Sequence, residues 1–194
     1  MFMHSVPNAL TIYRIVMSPV IIWLLLAFNG FTFHLIALLL FLTASLSDLF
    51  DGMIARKYEV VSEFGKFMDP LADKILVNGM FITLNVLEIV PIWVTGIVIL
   101  RDLAVTVLRW YMINNGESME TSKFAKWKTT FQYISMYVGL VYILLNDWPA
   151  TQALAHFIEE WSVSHIIFIS TGIITAATGF HYFWVNRDIF QKEA

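Results

Sequence analysis

Six stretches of this 194-residue chain carry long apolar runs, each near the roughly 20 residues that take an α-helix across a bilayer. They run from about Ala9 to Phe28, Phe31 to Ala55, Gly65 to Leu87, Pro91 to Met112, Trp127 to Leu145 and Val163 to Val185. Such runs leave little room for a soluble fold. Only 14% of the residues are charged and 58% are hydrophobic, where a soluble domain carries about 25% charged residues. The expected fold is all-α: a polytopic membrane protein of six transmembrane helices, with residues 1–194 forming one integral-membrane domain. Asn29-Gly30 ends the first run, and Pro91 opens the fourth as a good first-turn residue. The N-terminus lacks a charged region and a small-residue cleavage site, so the first run is expected to stay in the mature protein. Residues Asp147 to Trp161 read either as a helix on the membrane surface or as a loop. The absence of cysteine excludes disulfides, thiolate nucleophiles and cysteine metal sites.

Charge placement gives an orientation. All 12 Lys and Arg, from Arg14 to Lys192, fall on one side or in the half-helices leading to it. The opposite turns hold only acids: Glu88, Asp147, Glu159 and Glu160. The bias of basic residues toward the cytoplasm then places both termini, the 56–66 loop and the 113–126 loop there. An even number of spans agrees with that. Trp93, Trp110, Trp127, Trp148, Trp161 and Trp184 sit near span ends and read as an interfacial belt.

The second and third runs are interrupted by acids. Carboxylates inside membrane segments cost a few kcal/mol each, so they face a cavity or a partner. Asp48 and Asp51 are three apart and share a helix face, as do Gly65, Asp69 and Asp73 at intervals of four. Two antiparallel helices joined by a short loop can bring the four carboxylates together at the cytoplasmic end. Four carboxylates at close range repel unless a cation sits among them. Hard oxygen donors suit Mg2+ or Mn2+ rather than zinc, and such a site can hold two ions that clamp a phosphoryl displacement. Gly52 and Gly65 leave room for a flat base or a phosphate. The Arg56 fork suits a diphosphate. The competing readings are salt bridges that fix helix packing, or a cation transporter; the latter calls for a site at the midplane rather than at one end.

The stretch Asp48-Leu-Phe-Asp51-Gly52-Met-Ile-Ala55-Arg56, then eight residues, then Gly65-Lys-Phe-Met-Asp69-Pro-Leu-Ala-Asp73 resembles the signature of the CDP-alcohol phosphotransferases. All eight fixed positions are filled over 26 residues. The resemblance implies a six-helix membrane bundle, a homodimer, and an active site open to the cytoplasm of a bacterial inner membrane. It implies that Asp48, Asp51, Asp69 and Asp73 bind two divalent ions. Gly52, Ala55 and Gly65 would pack on the cytidine, Arg56 would touch the diphosphate, and Asp73 would be the general base. The acceptor hydroxyl would attack the β-phosphorus, and CMP would leave.

The acceptor is read from other residues. Arg101 lies mid-segment in the fourth run, Arg109 two turns later on broadly the same side, and Lys126 opens the fifth. Cations near a metal site point to an anionic acceptor such as a sugar- or glycerol-phosphate. The competing reading is that long cations reach lipid headgroups from the interface; it applies most to Lys123 and Lys128 and least to Arg101, which lies deep. Pro7-Asn8-Ala-Leu-Thr11-Ile-Tyr-Arg14, Asp69-Pro70-Leu-Ala-Asp73-Lys74, Arg101-Asp102 and Lys126-Trp-Lys128-Thr129-Thr130 resemble one branch of the family. That branch joins the phosphatidyl group of CDP-diacylglycerol to sn-glycerol 3-phosphate, with membrane lipid and no nucleic acid as surroundings. Asp102 stands where Glu is commoner, and Ala125 where Gly is usual. An inositol-phosphate or cardiolipin-type acceptor is the alternative. Thr11 and Arg14 either contact the site or, for Arg14, anchor the first helix at the interface.

Overall fold

Gly30 adopts φ +109°, a conformation that costs residues with a Cβ, and its carbonyl accepts the first amides of the next helix from Phe33 (3.1 Å) and His34 (3.2 Å). The chain therefore folds back at this point, and α1 (Phe2–Ala27) lies against α2 (Phe31–Tyr58). The structure is a computed structural model that describes the backbone of residues 2–58, 63–115 and 124–187, and the side chains of 8–48, 68–115 and 127–187. α3 (Glu63–Val86) ends where the amides of Ile89 and Val90 both donate to the Leu84 carbonyl, and Pro91 then precedes α4 (Ile92–Asn114). α5 (Phe124–Asp147) leads through a 3-10 turn at Pro149–Thr151 into the short α6 (Gln152–Glu160), and α7 (Val163–Val185) follows. Among the described residues there is no strand.

Six helices run 23 to 28 residues, about 35 Å or more at 1.5 Å per residue. Among the described residues three stretches are both long and apolar enough to cross a membrane: Asn8–Ala27, Phe31–Asp48 and Val163–Val185. The expected count of six is thus met in helix length but not in composition. The reason is visible in the chain: α3, α4 and α5 carry Asp69, Asp73, Lys74, Arg101, Asp102, Arg109 and Lys128. Residues 147–161, read as surface helix or loop, are mostly helical, and α6 exposes Leu154, Phe157 and Trp161 at its edge.

The bundle divides into two groups. α1 packs on α2 and α3, and α7 packs on α4 and α5; the groups meet where α3 touches α4 and α5, and where α2 touches α5. Ile21, Leu25, Phe41, Leu76, Met80, Phe81, Leu84, Val98, Met136 and Phe168 form the shared core. Phe81 and Phe168 meet edge to face across it. Buried hydroxyls bond their own helix: Ser18 to the Arg14 carbonyl (2.7 Å), Thr83 to Gly79 (2.8 Å) and Thr171 to Ile167 (2.9 Å). The outside is apolar instead. Ile92, Leu100, Val107 and Phe180 are more than 60% exposed, an arrangement suited to lipid rather than water. The six span-end tryptophans are all exposed.

Candidate active site

α1 brings two polar side chains to the acids of α2 and α3. The Arg14 side chain is fully buried, and its Nη1 donates to Asp48 Oδ1 at 2.5 Å. Thr11, also fully buried, donates to Asp69 Oδ1. Thr11 and Arg14 are three residues apart, so one face of α1 serves both helices. Of the two readings of Arg14, the structure shows contact with Asp48 of the candidate site rather than anchoring at the interface. Asp73 is served from the other group: Tyr133 on α5 donates its hydroxyl to Asp73 Oδ1 at 3.1 Å. Each of the three described aspartates therefore has a donor from another helix, two from one face of α1 and one from α5. No signal in the sequence pointed to Tyr133, because the direction of its hydroxyl depends on how α5 is rotated.

A cavity of about 560 Å3 opens where α3, α4, α5 and α7 converge. Asp73 and Lys74 line it from α3, Arg101, Asp102, Thr106 and Arg109 from α4, Lys128 from α5 and Tyr182 from α7. The structure thus brings together Asp73, Arg101 and Arg109. It also corrects the reading of Lys128 as a residue reaching for headgroups. Lys128 is buried, and its Nζ donates to Asp102 Oδ1 at 2.6 Å. A buried carboxylate one helix away outcompetes the interface, and a sequence shows no sign of that partner until α4 and α5 are placed side by side. Arg101 Nη1 reaches the same Asp102 oxygen at 3.2 Å, and its guanidinium carbon lies 5.6 Å from the centre of the Tyr182 ring. The Arg101 stem passes over Gly179, where a Cβ would stand 2.9 Å from its Cγ. Lys74 Nζ donates to Thr106 Oγ1 at 2.6 Å, which ties α3 to the same turn of α4.

A second cavity, about 450 Å3 and mostly apolar, lies between α2 and α5. Asp48, Leu42, Leu46, Tyr133 and Ile134 line it, and Tyr137 and Ser45 bond each other at its wall. Tyr133 lines this cavity while bonding an acid of the first, so it stands between the two.

Several expected site residues lie outside the described side chains: Asp51, Gly52, Ala55, Arg56, Gly65 and Lys126; so does Lys123, read as reaching lipid headgroups. Among the described residues no three His, Cys, Asp or Glu are grouped to hold a metal ion. Asp51, the fourth member of the set, is not among them. The three described acids all offer oxygen ligands, with Asp48 about one-third exposed, and each accepts its side-chain hydrogen bond on one oxygen, Oδ1. That donor chemistry fits a hard divalent cation.

The family model of CDP-alcohol phosphatidyltransferases matches residues 4–179 of the chain. A CDP-diacylglycerol–glycerol-3-phosphate 3-phosphatidyltransferase of Mycoplasma pneumoniae is 33% identical over 206 residues, covering 97% of this chain and 90% of that one. A protein of the same name from Rickettsia typhi is 35% identical over 200 residues, covering 97% of this chain and all of its own length. The like-named protein of Bacillus subtilis is 35% identical over 153 residues, or 73% of this chain and 79% of its own.

Proposed function

We propose that this chain, which belongs to the CDP-alcohol phosphatidyltransferase family, transfers the phosphatidyl group of CDP-diacylglycerol to sn-glycerol 3-phosphate in phospholipid biosynthesis. The products are phosphatidylglycerophosphate and CMP. The observation that carries the reading is the cavity in which the Asp73 carboxylate shares one space with Arg101, Arg109 and Lys128. An acceptor with a phosphate at one end and a hydroxyl at the other matches that lining. Its phosphate takes the cations, and its hydroxyl turns to Asp73.

Asp73 accepts the proton of the acceptor hydroxyl as general base. The hydroxyl oxygen forms a bond to the β-phosphorus as the bond from that phosphorus to the CMP oxygen breaks, and CMP leaves with the electron pair. Tyr133 holds one Asp73 oxygen, which fixes the carboxylate's rotation toward the acceptor. Asp48, Asp51, Asp69 and Asp73 would hold two divalent ions, Mg2+ or Mn2+, whose charge offsets that of the diphosphate. Gly52, Ala55 and Gly65 receive the cytidine, Arg56 the diphosphate, and Arg101, Arg109 and Lys126 the acceptor phosphate, to which Lys128 is added. Residues 1–194 act as one catalytic domain with six spans, as a homodimer in a bacterial inner membrane. The site faces the cytoplasm, where CMP is released.

The test is CMP release by the purified protein with CDP-diacylglycerol and a panel of acceptors: glycerol 3-phosphate, glycerol, inositol phosphate and phosphatidylglycerol. Release with glycerol 3-phosphate is expected; release only with another acceptor overturns the reading. Asp73→Asn should lower turnover by about 100-fold or more while the protein still elutes as a folded species. Turnover close to that of the unaltered protein removes Asp73 from the role of base.

A further inference from the structure

Among the described residues, Asp102 is the one carboxylate of the first cavity that lies outside the aspartate signature. It is 7% exposed, and the side chains of its two cation partners, Arg101 and Lys128, are 12% and 9% exposed. Both cations bond the same oxygen, Oδ1. Sharing one oxygen holds the two nitrogens close enough to take a single phosphate between them. It also leaves two largely buried cations on the one carboxylate they both bond. Arg101 Nε is buried with no hydrogen-bond partner among the described residues. A salt bridge that served packing alone would balance its charge and satisfy its donors, because buried unpaired donors are costly. This cluster does neither, and it opens on a cavity.

The same turn of α4 is held in register with the reacting end of the site. Thr106 Oγ1 donates to the Asp102 backbone carbonyl at 2.5 Å and accepts from Lys74 Nζ at 2.6 Å. Lys74 follows Asp73 directly. The two ends of the cavity, Asp73 and the paired cations, are therefore joined through three short steps of covalent and hydrogen-bonded structure.

We propose that Asp102 is a positioning residue that yokes Arg101 and Lys128 into a cationic fork for the acceptor's phosphate monoester. The yoke makes the enzyme selective for a phosphorylated alcohol over an uncharged one. Without the carboxylate, Lys128 has no buried partner to hold it, and a flexible ammonium near a helix end extends toward the interface. The inference rests on the reaction proposed above and adds the part that sets its acceptor.

The experiment uses the full chain in detergent with CDP-diacylglycerol and glycerol 3-phosphate, varying each substrate in turn. Asp102→Asn should raise the KM for glycerol 3-phosphate by about tenfold or more, while the KM for CDP-diacylglycerol stays within about twofold. Lys128→Met should do the same. The double variant should lose less than the sum of the two single losses, because Asp102 acts in part through that side chain. Asp102→Glu, which keeps the charge, should recover most of the acceptor affinity. A merely structural role would move both KM values, or stability alone. An unchanged acceptor KM in Asp102→Asn, or fully additive losses in the double variant, overturns the inference. If Asp102→Asn does not fold, Lys128→Met and Asp102→Glu decide: the first must lose acceptor affinity selectively, and the second must keep it. If the unaltered protein releases no CMP with glycerol 3-phosphate, the proposed reaction falls, and this inference with it. Turnover by the unaltered protein with acceptor KM unmoved by the variants sinks the inference alone.

Discussion

Each described aspartate of the signature is held by a side chain from outside its own helix: Asp48 by Arg14, Asp69 by Thr11 and Asp73 by Tyr133. These contacts do two things. They offset the cost of placing carboxylates in apolar helices, and they fix which oxygen of each acid stays turned to the site. Arg14 is the clearest case, since its side chain is fully buried while that of Asp48 is 34% exposed. Breaking a fully buried ion pair by removing one partner costs about 3–5 kcal/mol; with Asp48 partly solvated, a smaller loss of about 2–3 kcal/mol is expected for Arg14→Met. Thermal unfolding in detergent measures it, and an unshifted midpoint would show that the pair contributes little. At this scale the sequence was legible where spacing alone carries the information. Asp48, Asp51, Asp69 and Asp73 stand out by interval, and Thr11 and Arg14 were candidates by position. Tyr133, Asp102 and Lys128 were not legible as site residues. A tyrosine in an apolar helix and a lysine near a helix end have ordinary explanations until a neighbouring helix supplies their partners.

α7 shows the same limit one scale up. Its apolar length identified it as a span, yet nothing in it suggested a part in the site. Its buried face, Ser164, Phe168, Thr171, Gly172, Thr175, Thr178, Gly179 and Tyr182, recurs at helical intervals and is built mostly of small residues. Small residues let α7 approach α4 and α5 closely, which is how helices associate where no hydrophobic drive exists between them. The closeness is tightest at Gly179, beneath the stem of Arg101, a residue of the proposed acceptor site. Gly179→Val would push that stem aside and pull the guanidinium away from Asp102 and Tyr182. The acceptor KM is expected to rise by roughly threefold to tenfold, with the KM for CDP-diacylglycerol little changed. Steady-state kinetics with each substrate varied will separate the two, and an unaffected acceptor KM would mean that the Arg101 stem has room to move. α2 and α3 carry the fixed signature, but α4, α5 and α7 supply the residues proposed to distinguish one alcohol from another. The first set is readable as a motif because its members lie in one short stretch. The second is spread over three helices and becomes a set only through packing.

Across the whole bundle, polar chemistry gathers at one end. Thr11 and Arg14 lie early in α1, Asp48 late in α2, Asp69 and Asp73 early in α3, Arg109 late in α4, Lys128 and Tyr133 early in α5, and Tyr182 late in α7. For helices that alternate in direction, these positions coincide. The far end carries different contacts: His34 at the start of α2 bonds Asp147 at the end of α5, and Phe31 packs against Trp148. The six helices predicted from apolar runs all form, but the run boundaries were too short at α1, which starts at Phe2, and at α5, which starts at Phe124. Polar first turns belong to these helices without belonging to an apolar run. The asymmetry of the two ends predicts an orientation that can be measured directly, because the chain has no cysteine of its own. Single cysteines at Asn115, exposed just beyond α4 on the polar end, and at Glu160, exposed at the end of α6, report opposite faces. In intact spheroplasts a membrane-impermeant maleimide is expected to label Glu160→Cys at once and Asn115→Cys only after permeabilisation. The reverse pattern would put the site on the outer face. CMP would then be released away from the cytoplasm, and the proposed orientation of the site would fail with the topology.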